Sequence, residues 1–462
     1  MATKTKNLIP LLLLLIINAF VFSSINAAEA PAKEEPAAEK KPAAEEASAP
    51  EEASAPGKAP AAAGGAIDIT TLGAKPGADA APAMNKAWEQ ACACETPSTI
   101  VVPKGNYSLS CLSFLGPCKA PITIEVAGNF EAPKTMAELK GSDTWIKFER
   151  IGKLSIVAKD GGGVFDGNGE DGWKNNRCES TGVCETLPYN FRFFYINDST
   201  LDGITSLDSR QFHFNLINVY NFTIQNLKII APGDARNTDG IHIGRSVGVK
   251  IVDTSIKTGD DCISIGDGTK NLTVEKVTCG PGHGISIGSL GRYDHEDNVE
   301  GIVVSQCTFT NTDNGVRIKS WLNSKPVEVR DVRFEEITME NVTYPILIDE
   351  AYCPAAHCDA SIPSKVKIGN VHFKNIKGTA ADPSVMRFVC STALPCENIH
   401  LEDIDLKYSG RLGPTVSECC NVKPVSTGTV NPPACAAATT EAEASDHITA
   451  GLKFVKAAAA KA

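Results

Sequence analysis

Apolar residues recur with one spacing over the second half of the chain, from about residue 220 onward. Two apolar residues flank one variable position and a third follows three residues later, as in NFTIQNLKI from Asn221 and NLTVEKVT from Asn271. The middle apolar residues of the seven copies lie 27, 23, 30, 30, 39 and 28 residues apart and are Ile224, Ile251, Val274, Val304, Phe334, Phe373 and Leu401. Alternation with β-branched residues predicts a strand in each copy, and periods of this length indicate a solenoid. The pattern therefore predicts an all-β fold, a right-handed single-stranded parallel β-helix in which each repeat forms one coil.

A second short alternating segment occurs in five successive coils. These segments read DGIHIG, DCISIG, HGISIG, NGVRIK and YPILID and begin at Asp239, Asp261, His283, Asn314 and Tyr344. Because strand side chains alternate between two faces, we expect the apolar residues to stack inside the helix and the residues between them to point outward. Two outward columns follow from this alignment: one of His242, Ser264, Ser286 and Arg317, and one of Gly244, Gly266, Gly288 and Lys319.

The same alignment brings carboxylates and cations onto one face. Asp239 and Asp261 share a register, and Asp260 stands where the chain leaves a turn, so that all three carboxylates can reach one surface. Two carboxylates across a glycosidic bond are the minimum for acid/base hydrolysis, and crowding should raise the pKa of at least one of them. Arg317 and Lys319 would bind an anionic sugar, because arginine can hold a carboxylate through two hydrogen bonds.

The N-terminal segment predicts export. Two lysines precede an apolar run over residues 8–22, which is short for a membrane span, and small residues follow as far as Ala27. Residues 1–27 are therefore predicted to be a signal peptide, and residues 28–64, rich in Ala, Pro, Glu and Lys, a disordered spacer. We assign residues 65–436 to the β-helix catalytic domain and residues 437–462 to a low-complexity tail. The mature protein is expected to be secreted, with no membrane span.

Charge and cysteine content narrow the class of protein further. The formal net charge of -11 argues against binding to nucleic acid. The 16 cysteines suit an oxidising compartment, and the close pairs predict local disulfides at Cys178/Cys184, Cys353/Cys358 and Cys390/Cys396. No cysteine spacing favours a metal site, and no cofactor is expected. Glycosylation sequons begin at Asn106, Asn197, Asn221, Asn271 and Asn341.

Four segments of the chain carry a family resemblance. NTDG at Asn237, GDDC at Gly259, GHG at Gly282 and RIK at Arg317, in this order, resemble the signature segments of the polygalacturonases. These are pectin-degrading glycoside hydrolases with a right-handed parallel β-helix, and the resemblance extends from about Ala66 to about residue 436. The regions AGNFEAPKTMAELKGSDTWIKFERI and QFHFN look most like the exo-acting type of pollen.

The resemblance implies a role for each matching residue. Asp260 would be the general acid, Asp239 and Asp261 would activate water, and His283 would support the acid. Substrate contacts would come from Asn237, Arg317, Lys319 and Tyr352, with Tyr344 as the alternative tyrosine. A disulfide is implied between Cys262 and Cys279.

Two features depart from simple expectations. Ala235 and Arg236 stand where plant members usually have Ser-Pro before the Asn, which could change substrate preference or turnover. Carboxylates one coil apart would be about 5 Å from each other, which by the general separation rule suggests a retaining enzyme. The family inverts, so the resemblance implies inversion.

We therefore expect a monomeric extracellular or cell-wall hydrolase that cleaves 1,4-linked α-D-galacturonan without a metal, by exo action. An endo-acting polygalacturonase is the alternative within the same class. Two rivals remain: a pectate lyase, which would require calcium and form unsaturated products, and an inactive β-helix that binds pectin in the wall.

Overall fold

The repeats fold as successive coils of a right-handed parallel β-helix, which confirms the predicted fold class. The computed structural model describes residues 64–139, 141–176, 187–354, 358–435 and 437–438. Within these ranges the strands form one continuous sheet system, and each recorded ladder joins a strand to its parallel neighbour in the next coil. The coils are therefore held together by pairings between residues 19 or more positions apart in sequence.

The strands before residue 220 are β1 (Ala66–Asp68), β2 (Ser98–Val102), β3 (Asn106–Ser108), β4 (Leu112–Leu115), β5 (Ile122–Val126), β6 (Asn129–Glu131), β7 (Thr144–Gly152), β8 (Leu154–Ala158), β9 (Val164–Asp166), β10 (Tyr189–Asp202), β11 (Thr205–Leu207) and β12 (Phe214–Ile217). The next strands are β13 (Tyr220–Gln225), β14 (Lys228–Ile230), β15 (Ile241–Gly244), β16 (Lys250–Val252), β17 (Ser255–Lys257), β18 (Ile263–Ile265), β19 (Lys270–Glu275), β20 (Thr278–Cys279), β21 (Ile285–Leu290), β22 (Val299–Ser305), β23 (Thr308–Thr310) and β24 (Asn314–Trp321). The last are β25 (Val327–Val342), β26 (Tyr344–Tyr352), β27 (Val366–Ala380), β28 (Ser384–Val389), β29 (Glu397–Tyr408), β30 (Val416–Cys420), β31 (Val425–Asn431) and β32 (Ala437–Ala438). Two α-helices, α1 (Ala81–Ala93) and α2 (Glu170–Asn175), and two short 3-10 turns, Ile69–Leu72 and Met136–Leu139, complete the described elements.

The apolar repeat sets the register between coils. Each middle apolar residue of the repeat pairs with its counterpart in the next coil, in the order Ile224, Ile251, Val274, Val304, Phe334, Phe373 and Leu401. Their side chains are at most 1% exposed. Because complete burial of such a side chain contributes roughly 1.5–3 kcal/mol, this column helps to hold the coils in one register.

The second strand of each coil stacks in the same way. Ile241 of β15, Ile263 of β18, Ile285 of β21, Val316 of β24 and Ile346 of β26 pair in succession and are fully buried. The residues between the apolar positions lie on the opposite face of these strands. This outer face carries the candidate site.

Two left-handed corners in each coil explain part of the repeat sequence. The first corner has φ between 52° and 72° and is occupied by Asn221, Gly248, Asn271, Gly301, Asp331, Asn370 and Asn398. These are the residue types that adopt this conformation with least strain. The second corner, five residues later, has φ between 50° and 57° and is occupied by Asn226, Asp253, Lys276, Gln306, Glu336, Asn375 and Asp403. Lysine and glutamine adopt the strained conformation here because the coil pairing on both sides fixes the corner.

The first coils have a more aromatic interior than the later ones. Trp88 of α1 packs on Phe114 with ring centroids 4.8 Å apart, and Phe114, Phe148 and Phe193 follow one another at 5.0 and 5.1 Å. The α-helix α1 thus covers the apolar interior at the N-terminal end of the β-helix. The disulfide Cys92–Cys118 joins the end of α1 to the chain after β4.

The predicted boundaries can be compared with the described residues only in part. The predicted signal peptide and all of the predicted spacer except residue 64 lie outside the described residues. Strand β32 pairs with β30, so ordered pairing continues two residues beyond the predicted end at residue 436. None of the described helices has the length and apolarity needed to cross a membrane.

Candidate active site

Asp260 and Asp261 lie in a turn that is fixed by the neighbouring coil. The amide of Gly259 donates to Thr238 Oγ1 at 2.9 Å, and that hydroxyl donates to the carbonyl of Ala235 at 2.6 Å. A Cβ atom on residue 259 would lie 2.1 Å from the same carbonyl, so the close approach requires glycine. The segment ARNTDG therefore packs directly against GDDC.

Asp261 is bonded by two cations and a hydroxyl. Lys319 Nζ donates to Oδ2 at 2.8 Å, while Arg317 Nη2 and Ser286 Oγ both donate to Oδ1 at 2.8 Å. The Asp261 side chain is 3% exposed. Burial opposes its ionisation, but the charges of Lys319 and Arg317 hold the pKa of Asp261 below its usual range. The two cations thus contact an acid directly, whereas the sequence alignment predicted only that they share one face with the acids.

Asp260 forms an ion pair with His283. Its Oδ1 accepts from His283 Nδ1 at 2.9 Å and from the amide of Asp261 at 2.8 Å, and its Oδ2 accepts from the amide of Asn237 at 3.2 Å. Burial would raise the pKa of Asp260, but His283 outweighs it and lowers this pKa well below the usual range. The pKa of His283 is correspondingly raised, against its own burial, by Asp260 and by Asp313, whose Oδ2 lies 3.5 Å from Nε2. The proton of this pair therefore resides on His283.

Of Asp239, Asp260 and Asp261, Asp239 is the one whose pKa is raised. It is 6% exposed, and its Oδ2 accepts from Ser264 Oγ at 2.7 Å. Burial, followed by the charges of Asp260 and Asp261, raises the pKa of Asp239 well above its usual range. Behind Ser264 lies His242, whose Nδ1 is 2.8 Å from the serine hydroxyl. The crowded acids therefore differ in ionisation, and the expected rise falls on Asp239 and not on Asp260.

Aromatic rings extend the site beyond Lys319. The ring of Tyr352 lies 5.2 Å from Lys319 Nζ and packs edge-on against Trp321, and the guanidinium of the exposed Arg292 lies 5.2 Å from the Trp321 ring. Tyr344, the alternative tyrosine, is 3% exposed and lies against Arg387. The structure thus places Tyr352 at the site and Tyr344 away from Lys319.

Two groups of side chains lie close enough to be tested as metal ligands. Within the described ranges, Asp260, Asp261 and His283 each place one ligand atom within 4.8 Å of the others. All three already bond protons or cations, which does not suit a divalent ion. The second group is Glu350, Cys390 and Cys396, but its two cysteines form a disulfide with each other. Neither group fits a resident metal ion.

The remaining predicted residues also have definite positions. Cys262 is bonded to Cys279, and Cys353 to Cys358, while Cys178 and Cys184 lie outside the described residues. The asparagines of the five sequons are all exposed: Asn106, Asn197, Asn221, Asn271 and Asn341.

Several residues of the site received no role from the sequence. Ser264 and Ser286 were placed in the outward column, but their bonds to aspartates depend on side-chain geometry. Asp313 precedes the predicted strand that contains Arg317. Asp349 is buried, and burial raises its pKa; its position after the apolar pair of the last aligned segment was the available signal.

Comparison with known proteins adds a second kind of observation. The model of the family described as glycosyl hydrolases family 28 matches residues 92–435. An exopolygalacturonase from Arabidopsis thaliana is 49% identical over 377 residues, covering 81% of this chain and 84% of that protein. An exopolygalacturonase from Oenothera organensis is 48% identical over 365 residues, covering 79% of this chain and 100% of that protein. The solved structure of an endo-xylogalacturonan hydrolase from Aspergillus tubingensis aligns with a TM-score of 0.66 at 24% identity, over 78% of this chain and 98% of that one, and supports the fold alone.

Proposed function

The chain belongs to glycosyl hydrolases family 28, and we propose that it is a secreted, exo-acting polygalacturonase that hydrolyses 1,4-linked α-D-galacturonan. The observation that carries this proposal is that Asp239, Asp260 and Asp261 share one face of the β-helix with two cations. These are Arg317 and Lys319, which both bond Asp261. The relatives named exopolygalacturonase, at 48 and 49% identity over most of the chain, support the same substrate.

The cations of the site suit a uronate. Arg317 and Lys319 lie at the candidate active site, and the exposed parts of their side chains, 11 and 8%, would contact the carboxylate of a bound sugar while both stay bonded to Asp261. Arg292, on the far side of Trp321, adds an exposed positive charge in a chain that is acidic as a whole. A neutral polysaccharide would offer no carboxylate to the exposed guanidinium of Arg292 or to the cations beside Asp261. The arrangement therefore favours an anionic polymer.

Asp260 and His283 supply the proton for the leaving group. In the free site His283 holds the proton and donates a hydrogen bond to the Asp260 carboxylate. As negative charge develops on the glycosidic oxygen, the proton passes through Asp260 to that oxygen, and His283 becomes neutral. The pair acts as one acid with a single proton. This agrees with the role that the resemblance gives to Asp260.

Asp239 and Asp261 activate the water. Asp239 has the higher pKa of the two and is therefore the stronger base once it is ionised. Asp261, held by Lys319 and Arg317, stays ionised and accepts the second hydrogen of the water without removing it. Attack from the face opposite the leaving group gives inversion at the anomeric carbon. Proton NMR of the first product distinguishes inversion from retention.

No step of this scheme uses a metal ion. The negative charge that would attract a cation at Asp261 is already balanced by Lys319 and Arg317. We propose that the protein acts as a monomer in the extracellular space, where its exposed sequons would be glycosylated.

The decisive experiment compares polymer length with product release. Wild-type protein and Asp260→Asn are incubated with polygalacturonate in EDTA, and viscosity and reducing ends are measured together. Exo action predicts monogalacturonate with little loss of viscosity, and Asp260→Asn should form no product. Asp253→Asn is the matched control, because Asp253 is an exposed corner residue whose left-handed conformation asparagine adopts equally well.

Each other outcome identifies an alternative. Rapid thinning at low release of reducing ends would indicate an endo-acting enzyme. Unsaturated products that disappear in EDTA would indicate a lyase. Absence of product from wild type, with retained binding to pectin, would indicate an inactive wall protein.

A further inference from the structure

Two serines occupy equivalent positions on successive coils, and each bonds an aspartate of the site. Ser264 of β18 pairs in register with Ser286 of β21. Ser264 Oγ donates to Asp239 at 2.7 Å, and Ser286 Oγ donates to Asp261 at 2.8 Å. Both serines are at most 4% exposed. Each of the two water-activating carboxylates therefore accepts a hydrogen bond from an equivalent serine.

The groups behind the two serines differ. Arg317 Nε donates to Ser286 Oγ at 2.9 Å, and the same arginine also bonds Asp261 directly. His242 Nδ1 lies 2.8 Å from Ser264 Oγ. Because the single hydrogen of Ser264 is directed to Asp239, His242 must donate from Nδ1 to the hydroxyl oxygen. One carboxylate is thus supported by a permanent cation and the other by an imidazole.

Packing keeps this imidazole neutral and in place. The His242 ring stacks on Phe212 with centroids 5.0 Å apart, and burial lowers the pKa of His242 to about 4. Its strand neighbour on β12 is Asn215, an uncharged residue. The charged groups that act on Asp239 and His242 are Asp260, Asp261, Asp267 and Lys319. Of these, Lys319 donates its hydrogen bond to Asp261.

We propose that Ser264 and His242 are positioning residues that orient the carboxylate of Asp239 as the proton acceptor for the attacking water. The neutral imidazole orients Asp239 without removing its basicity, whereas the guanidinium behind Ser286 makes Asp261 a weak base. The identity of this supporting group therefore decides which carboxylate takes the proton. This inference rests on the proposed hydrolysis of galacturonan.

The pH profile of kcat tests this division of roles. Activity requires ionised Asp239, so its titration sets the acid limb. Ser264→Ala removes a hydrogen bond that favours the carboxylate, and the acid limb should move to higher pH by about one unit. The plateau kcat should fall about tenfold with little change in KM, because the base is less well oriented. Ser286→Ala, the matched control, should leave the acid limb in place, because Arg317 and Lys319 still hold Asp261.

Two variants of His242 separate orientation from folding. His242→Phe keeps the stacking on Phe212 but has no donor, so the acid limb should move in the same direction as in Ser264→Ala. His242→Gln retains a neutral donor and should restore most of the wild-type profile. An unchanged acid limb in both Ser264→Ala and His242→Phe, with active wild type, would overturn this inference and leave the proposed function intact. A rise in KM at constant kcat would also overturn it, because it would indicate a substrate contact.

A second measurement does not depend on turnover. Nitrogen NMR of the eight histidines assigns the tautomer of His242 under alkaline conditions, where Asp239 is ionised. The proposal predicts the hydrogen on Nδ1, and a hydrogen on Nε2 alone would contradict it. Wild type that fails to hydrolyse polygalacturonate would instead remove the proposed function, whatever the tautomer.

Discussion

His283→Gln should move the alkaline limit of activity toward lower pH. In the wild-type site the catalytic proton resides on His283, whose pKa is raised by Asp260, so activity is retained until pH rises through that raised value. Glutamine can occupy the position but cannot carry this proton. The proton must then be held by Asp260 alone, which titrates at a lower pH than the pair.

The size of the effect follows from one contact. The bond between His283 Nδ1 and Asp260 Oδ1 is 2.9 Å long, and a hydrogen bond to a charged group contributes about 1.5–3 kcal/mol. Because 37% of the His283 side chain is exposed, screening favours the lower value, about 1.5 kcal/mol or roughly one pKa unit. In His283→Gln the pKa of Asp260 should therefore rise by about one unit but remain below the ordinary pKa of histidine. The alkaline limb should fall by at least about one pH unit.

Stability measurements test the direction of the His283 pKa shift independently of activity. A histidine whose pKa is raised on folding stabilises the protein below its unfolded pKa, and this contribution is lost as pH rises through the folded pKa. The free energy of unfolding of His283→Gln should therefore be lower than wild type at acid pH and converge with it at alkaline pH. His400→Gln, on β29, is the matched control. An alkaline limb that stays at the wild-type pH would refute the assignment of the proton to this pair.

Three further changes test other parts of the structure. Replacing Cys262 and Cys279 by alanine opens a cross-link between residues 17 positions apart and should lower the free energy of unfolding by about 3 kcal/mol, measured by denaturant titration. Lys319→Met leaves a buried carboxylate with one cation fewer and should reduce kcat/KM by more than about tenfold; wild-type kinetics would contradict its role. Arg292→Gln should raise KM for polygalacturonate severalfold at unchanged kcat, whereas the exposed Arg411→Gln should behave as wild type.

The sequence was informative where one physical requirement repeats in every coil. The buried column from Ile224 to Leu401 was readable because each coil must bury an apolar residue at the same place. The residue types at the first corner also indicate its conformation, since Asn221 and its counterparts are residues that tolerate positive φ. The second corner could not be predicted from residue type, because at Lys276 the coil geometry imposes a conformation that lysine does not favour. The earliest coils were missed as repeats, because aromatic residues such as Phe148 fill them at irregular spacing.

The site could be predicted as a column but not as a set of bonds. Alternation placed Ser264, Ser286 and Arg317 on the outer face, yet it could not show that long side chains from later coils reach back to Asp261. For the same reason the crowding of acids predicted a raised pKa without identifying Asp239 as its position. Those properties depend on distances of a few ångströms between side chains, and strand alternation does not determine them.

The central claim is that this face of the β-helix hydrolyses a galacturonan with Asp260 in the acid. Wild type and Asp260→Asn should be incubated with polygalacturonate and EDTA in water labelled with heavy oxygen, and the first products weighed by mass spectrometry. We predict saturated monogalacturonate that carries one labelled oxygen from wild type and no product from the variant. Unsaturated or unlabelled product from wild type, or undiminished turnover by Asp260→Asn, would contradict the account.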